Sequence, residues 1–251
     1  MQHVEIKDLP TTNSATPVFA GVKFQTPWET LDYLELGPGA SFSPPPHTSF
    51  EQGYIVLEGA IEYSGNGHAQ QLRGPAVLLC QLDGHPDHAL TNNTGRTARL
   101  LHVRVALTPH PGQERPLRRE SVDPNKLKWR DAIHGGAGRI ATRHIWGPED
   151  FSSTWTFMDH AVLGPHSSVG YHYHDALEEC FLILRGRGYM TIADATFAVN
   201  PGSATWQGIR AGHGIYNPHD EELDFLRLAV AQQDATYTTV DLHDSLAARR
   251  P

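Results

Sequence analysis

Cysteine is scarce in this chain: its 251 residues include two, Cys80 and Cys180. They form no C-x-x-C pair, which excludes a thiol-based metal or redox motif, and each lies in an apolar run where a free, buried thiol is expected. Long hydrophobic runs are missing too, so no membrane span is expected. The start of the chain, Met-Gln-His-Val-Glu-Ile-Lys-Asp-Leu-Pro, has no apolar signal core, and a cytoplasmic protein is the expectation. There is no basic run, and the formal net charge is -8. Nothing therefore offers a footprint for nucleic-acid phosphates. Neither a G-x-S-x-G turn, nor a phosphate loop, nor a dinucleotide fingerprint occurs.

Other residues are plentiful. Gly (23) and Pro (18) favour many turns and short strands over long helices. Histidine, at 16, is unusually frequent. Most histidines share no metal-like spacing, but those near residue 170 do. The run Tyr171-His-Tyr-His-Asp-Ala-Leu-Glu-Glu-Cys180 sets His172 and His174 two apart, on one side of a strand. Asp175-Ala176-Leu177 can supply the bend that brings Glu179 beside them. His213 follows a strand pair later, with Asn217 four residues on. Three neutral nitrogens and a carboxylate suit divalent Mn, Fe, Ni, Co or Zn. A buried Glu179 without a partner would be costly by several kcal/mol. The metal, Arg185 or Arg187 are the nearest groups to neutralise it.

The chain also repeats itself. Leu36-Gly37-Pro38-Gly39 matches Leu163-Gly164-Pro165-His166 at an offset of 127 (164 minus 37). In that register His47 falls on His174, Gln52 on Glu179, Leu57 on Leu184 and Gly59 on Gly186. His88 and Asn92 match His213 and Asn217 at an offset of 125 (213 minus 88). The copies differ chemically. Pro45 stands where the second copy has His172, and Gln52 where it has Glu179, so the first copy keeps only His47 and His88. Two imidazoles without a carboxylate hold a divalent ion weakly. The first module is expected to be metal-free and to serve packing, dimerisation or as a lid. Short apolar strands ending at turn glycines, Gly53–Gly59 and Cys180–Gly186, with Tyr189–Asp194 as a return strand, point to antiparallel barrels. The expected layout is an N-terminal barrel over 1–107, a connection over 108–145 and a C-terminal barrel over 146–251. Pro109, Pro111 and Pro116 argue against regular structure in the connection, and 122–133 could hold a short helix. The tail could start another helix at Asp241 or Asp244, or fray.

These motifs resemble the cupin superfamily. His172-x-His174, four residues, Glu179, six residues and Gly186 fit its first motif. Pro201-Gly202 followed by His213 and Asn217 resembles its second, with a longer stretch before the histidine. The resemblance covers about 30–105 and 150–232 and makes the chain similar to a bicupin. It implies an all-β fold of two tandem jelly-roll barrels, with one divalent ion per chain, Fe(II) or Mn(II) favoured, on His172, His174, Glu179 and His213. Function does not follow from the fold alone. The expectation is an enzyme acting on a small carboxylate, enol or hydroxyketone, with an oxygen-dependent oxidoreductase favoured. An isomerase, lyase or decarboxylase is the alternative, and a non-catalytic binding module comes third. A homodimer or higher homo-oligomer is expected.

Strand parity supplies candidate pocket residues. If Glu179 faces inward, so do Phe181 and Ile183. Trp155, Phe157 and Asp159 should share one face, lining either the pocket or an outer core. Trp206 is a pocket candidate whose simpler role is core packing. Glu178 points away from the ligands, as a solvated carboxylate or one contacting a ligand's neighbour. Tyr171, Tyr173 and Tyr216 are candidate proton donors. His160 and His166 are not aimed at the ion, and His219 is expected to be exposed.

Overall fold

The computed structural model describes residues 2–10, 14–45, 49–65, 67–80, 88–107 and 117–251. Regular structure among them consists of β-strands and four single-turn 3-10 segments. Each sequence repeat is a sandwich of two antiparallel sheets. In the first, a six-stranded sheet runs in the order Arg118–Ser121, Ala76–Cys80, Phe50–Glu58, Ala98–Ala106, Trp28–Leu36, Thr16–Pro17. A four-stranded sheet, centred on His88–Thr91 and Ala60–Gly65, closes over it. In the second, a seven-stranded sheet contains Ser203–Gln207, Leu177–Arg185, Leu223–Ala231, Trp155–Leu163 and Arg139–Trp146. Its five-stranded partner holds Ser168–His174 and His213–Tyr216. The offset of 127 recurs in three dimensions. Trp28–Leu36 corresponds to Trp155–Leu163, and Phe50–Glu58 to Leu177–Arg185.

The two large sheets pack face to face. Alternate residues of Ala98–Ala106 and Leu223–Ala231 point into their own barrel (Leu100, Phe225) or into the seam between barrels (Leu101, Leu226). Burial on both faces explains why Leu223–Ala231 carries apolar residues at both strand parities. Both cysteines are free and buried, and burial pushes both thiols far up from the ordinary range.

The segments leading into the barrels are exchanged. His3–Glu5, ahead of the first barrel, pairs with Ser203–Gln207 of the second. Arg118–Ser121, ahead of the second barrel, pairs with Ala76–Cys80 of the first. The next residues repeat the exchange: Ile6 N donates to Gly202 O at 2.9 Å, and Val122 N to Pro75 O at 3.1 Å.

The connection therefore differs from its expected form. Residues 108–116, with the three prolines, lie outside the described residues. Beyond them the chain is ordered into strands well before residue 146. The expected helix over 122–133 is one 3-10 turn, Pro124–Lys126, capped by the Asp123 carboxylate accepting from Asn125 N. Lys128–Asp131 has no apolar helical face, all four residues being exposed, and pairs with Arg139–Trp146. The tail neither forms an α-helix nor frays. Thr239–Asp241 pairs with His172–His174, and Leu246, in a final 3-10 turn, is buried.

Candidate metal centre

Ser168–His174, Leu177–Arg185 and His213–Tyr216 bring His172, His174, Glu179 and His213 together at one end of the second barrel. All four are buried, and one ligand atom from each lies within 4.8 Å of the others. Each imidazole is held by its outer nitrogen. His172 Nδ1 lies 2.7 Å from Gly170 O, and His213 Nδ1 2.9 Å from Ala211 O. His174 Nδ1 lies 2.9 Å from Thr239 Oγ1, on the tail strand. Nδ1–H groups donating to the two carbonyls leave His172 and His213 with bare Nε2 lone pairs.

That tautomer creates an electrostatic demand. His213 Nε2 lies 3.0 Å from Glu179 Oε2, so a lone pair faces a carboxylate oxygen. His174 Nε2 is 3.5 Å from the same oxygen. His172 Nε2 and Glu179 Oε1 are buried without a hydrogen-bond partner. Burial, with His213 and His134 nearby, pushes the His172 pKa down to about 2, so that ring is neutral. Burial opposes ionisation of Glu179, but the contact with His174 and the charge of Arg227 outweigh it and hold the carboxyl well below its ordinary range. A buried anion ringed by nitrogen lone pairs calls for a cation among them. The donor set fits a divalent transition metal.

Arg227 supplies the fixed positive charge, rather than the expected Arg185 or Arg187. Its Nη1 is 3.5 Å from Glu179 Oε1, and its Nη2 donates to Asp159 Oδ2 at 2.6 Å. Asp159 in turn bonds His144 Nδ1. Arg185 sits beside Glu222 and Asp224 instead. His134 comes from the turn between Lys128–Asp131 and Arg139–Trp146. Its ring stacks on His172 with centroids 4.0 Å apart, and its Nδ1 lies 3.3 Å from Asp241 Oδ1. Its backbone has φ 55°, a left-handed conformation that non-glycine residues rarely adopt. The close approach needs Gly170, where a Cβ would lie 1.8 Å from His134 O. Tyr237 meets His174 edge-on at 5.7 Å.

The structure divides the four pocket candidates. Phe181 points inward, packing on Phe225 and meeting the His213 ring edge-on at 6.1 Å. Phe157 lies under the Arg227 guanidinium at 5.2 Å. Trp155 is in the seam between barrels, stacked on Phe151, and Trp206 packs against the same seam beside Phe24. Trp155 and Phe157 do not share a face because the ladder shifts register between them, a bulge that breaks period-two parity. Trp206 pairs with Cys180, whose side chain also faces the seam.

Other residues take structural roles. Glu178 is buried, not solvated, and accepts from Gln25 N, Thr26 N and Thr26 Oγ1 of the first barrel at 3.0, 3.0 and 2.7 Å. Asn217 ties its loop through Gly164 O and Glu221 O. Tyr171 donates to Ala193 O. His160 bonds Asp224, His166 bonds Asp220, and His219 is half-buried rather than exposed. The sequence reading missed His134, His144, Arg227, Tyr237 and Thr239. Two signals were available: Arg227 is the one basic residue in the strand Leu223–Ala231, and Thr236–Asp241 is a β-prone run.

Comparison with known proteins agrees with this architecture. Residues 159–230 match the family described as Cupin domain. The chain is 24% identical over 114 residues to an oxalate-binding protein of Thermotoga maritima, covering 45% of this chain and 92% of that protein. Among solved structures, an oxalate decarboxylase variant from Bacillus subtilis superposes with TM-score 0.63 at 15% identity, covering 96% of this chain and 79% of that one. A salicylate 1,2-dioxygenase from Pseudaminobacter salicylatoxidans gives TM-score 0.62 at 12% identity, covering 86% and 76%. The family match lies within the C-terminal barrel, and the chain as a whole has the bicupin fold. No helix among the described residues is long and apolar enough to cross a membrane.

Proposed function

We propose that the chain is a metal-dependent enzyme that acts on a small organic anion (a carboxylate, enolate or hydroxyketone) at the second barrel, with oxygen-dependent oxidation the favoured reaction. One observation carries the reading: the bare Nε2 atom of His213 and a Glu179 carboxylate oxygen face each other across 3.0 Å in a buried site, with His172 Nε2 unpartnered beside them. Under this reading His172, His174, Glu179 and His213 hold one divalent ion, Fe(II) or Mn(II), with Ni, Co or Zn as other fits to the donors. Such an ion supplies Lewis-acid polarisation of a substrate oxygen and, as Fe(II), one-electron chemistry with dioxygen. The chain's own residues do the rest. Arg227 and Asp159 hold Glu179 ionised and oriented, Thr239 fixes the His174 ring, and Phe157 and Tyr237 screen the site from water.

A second reading, non-oxidative decarboxylation, lyase or isomerase chemistry, is favoured by the relative named for oxalate binding and by the likeness in fold to an oxalate decarboxylase. Metal analysis followed by turnover with a panel of small carboxylates and diketones separates the two. Oxygen uptake in step with substrate loss supports oxidation. Carbon dioxide release or isomerised product without oxygen uptake supports the second. Saturable anion binding without turnover leaves a binding protein. A reconstituted chain that retains no divalent metal overturns the whole reading.

A further inference from the structure

A cavity of about 710 Å³ lies away from the metal centre, where the two barrels meet. Its lining follows the internal repeat. Leu57 and Leu184 are equivalent residues, 127 apart (184 minus 57), at the ends of the matching strands Phe50–Glu58 and Leu177–Arg185. Pro75 and Gly202, likewise 127 apart (202 minus 75), are the acceptors for the two exchanged segments, whose Val122 and Ile6 add apolar walls. Leu57 and Leu184 are only half-buried, leaving apolar surface open to the cavity. The charges around it break this symmetry. On the first-barrel side Arg99 bonds Glu58 at 2.6 Å and reaches Glu35 at 3.4 Å, a closed network. The equivalent positions on the second-barrel side are inverted to Arg185 and Asp224. Arg185 touches Glu222 and Asp224 only at 3.7 Å and is 61% exposed, while Asp224 is engaged by His160 at 2.8 Å. Lys7, from the exchanged N-terminal segment, lines the same cavity, is exposed, and has no ion pair among the described residues.

We propose that this inter-barrel cleft is a binding site for an amphipathic organic anion, its apolar body on Leu57 and Leu184 and its acidic group between Lys7 and Arg185. The volume is that of a ligand pocket, and an apolar floor with a few convergent charges is the composition such pockets have. Cations held loosely at the rim leave N–H donors free for a carboxylate or sulfonate. The site is independent of the metal-centre reading, because no metal-ligand candidate lines it.

Fluorescence titration of the purified, metal-loaded chain with anilinonaphthalene sulfonate tests the proposal. Saturable binding is expected, at about one probe per chain. Lys7→Glu combined with Arg185→Glu should weaken it by on the order of tenfold. Leu57→Trp, which fills the floor, should abolish it, and Glu179→Gln should leave it unchanged. Melting curves confirm that each variant is folded; if the double variant is not, Lys7→Glu alone is read, since that side chain is exposed. The uncharged N-phenyl naphthylamine should bind more weakly than the sulfonate. Non-saturable binding, an affinity indifferent to the charge reversals, equal binding of the neutral probe, or loss of binding in Glu179→Gln would each overturn the assignment.

Discussion

Where the second barrel sets Glu179 beside Arg227, the first sets Gln52 against His102, with Gln52 Oε1 and His102 Nε2 2.6 Å apart. Where the second has Phe181 beside His213, the first has Tyr54, whose hydroxyl lies 2.6 Å from His88 Nε2. Equivalent backbone thus carries an amide and a phenol hydroxyl against imidazoles in one barrel and a buried anion among lone pairs in the other. Tyr54 also stacks on His102, with centroids 4.7 Å apart. The difference teaches that an amide in place of a carboxylate at this position comes with hydrogen-bond partners for the buried polar groups around it. His47, the remaining ligand-like position of the first barrel, lies outside the described residues.

The contrast can be broken most forcefully at its two acidic positions. Glu179→Gln should reduce bound metal from about one ion per chain to nearly none, by elemental analysis, while the melting profile stays cooperative. The reverse change, Gln52→Glu, should not raise the metal content above about one. A metal-replete Glu179→Gln chain would remove the distinction between the barrels.

A smaller effect concerns what the barrels share. Glu51 repeats Glu178 and accepts from Ser152 N, Ser153 N and Ser153 Oγ of the opposite barrel at 3.0, 3.1 and 2.5 Å. Glu178→Ala and Glu51→Ala should each destabilise the chain by about 3 kcal/mol, because each strands buried donors. Denaturant midpoints of the two variants should agree, and a large disparity would show that the clamps are unequal.

Next comes Thr239→Val, which keeps the shape and removes the oxygen beside His174 Nδ1. Metal affinity should fall about tenfold in a competitive chelator titration, with the fold unaltered. The smallest effect is at His144. Its hydrogen bond with Asp159 raises its pKa above the ordinary 6.5. The stability it contributes is therefore complete below pH 6.5 and is lost as pH rises through the folded-state value. His144→Gln should flatten that segment of the stability-versus-pH curve, and an unchanged slope would assign it to another group.

Much of this architecture was legible in the chain. The repeat register predicted which strands correspond, and the spacing of His172, His174, Glu179 and His213 predicted which side chains meet. What escaped had physical reasons. Period-two parity held for Glu179 and Phe181 but failed across the bulge between Trp155 and Phe157. Glu178 looked solvated because its partners, Gln25 and Thr26, are about 150 residues away and belong to the other barrel. His134 comes from the connection, whose composition suggested irregular structure, and Thr239 from a run just ahead of the tail; both become ordered by pairing with strands that already exist.

The exchange of His3–Glu5 for Arg118–Ser121 has a further implication for how the halves can be handled. A cut between Leu107 and Arg118 separates each half from an edge of its own sheet and uncovers a sticky strand border. Two such pieces, mixed in one tube, carry complementary borders and are built to find each other. The polypeptide is laid out as an arm-swapped pair of matching barrels joined end to end, so neither can leave the other.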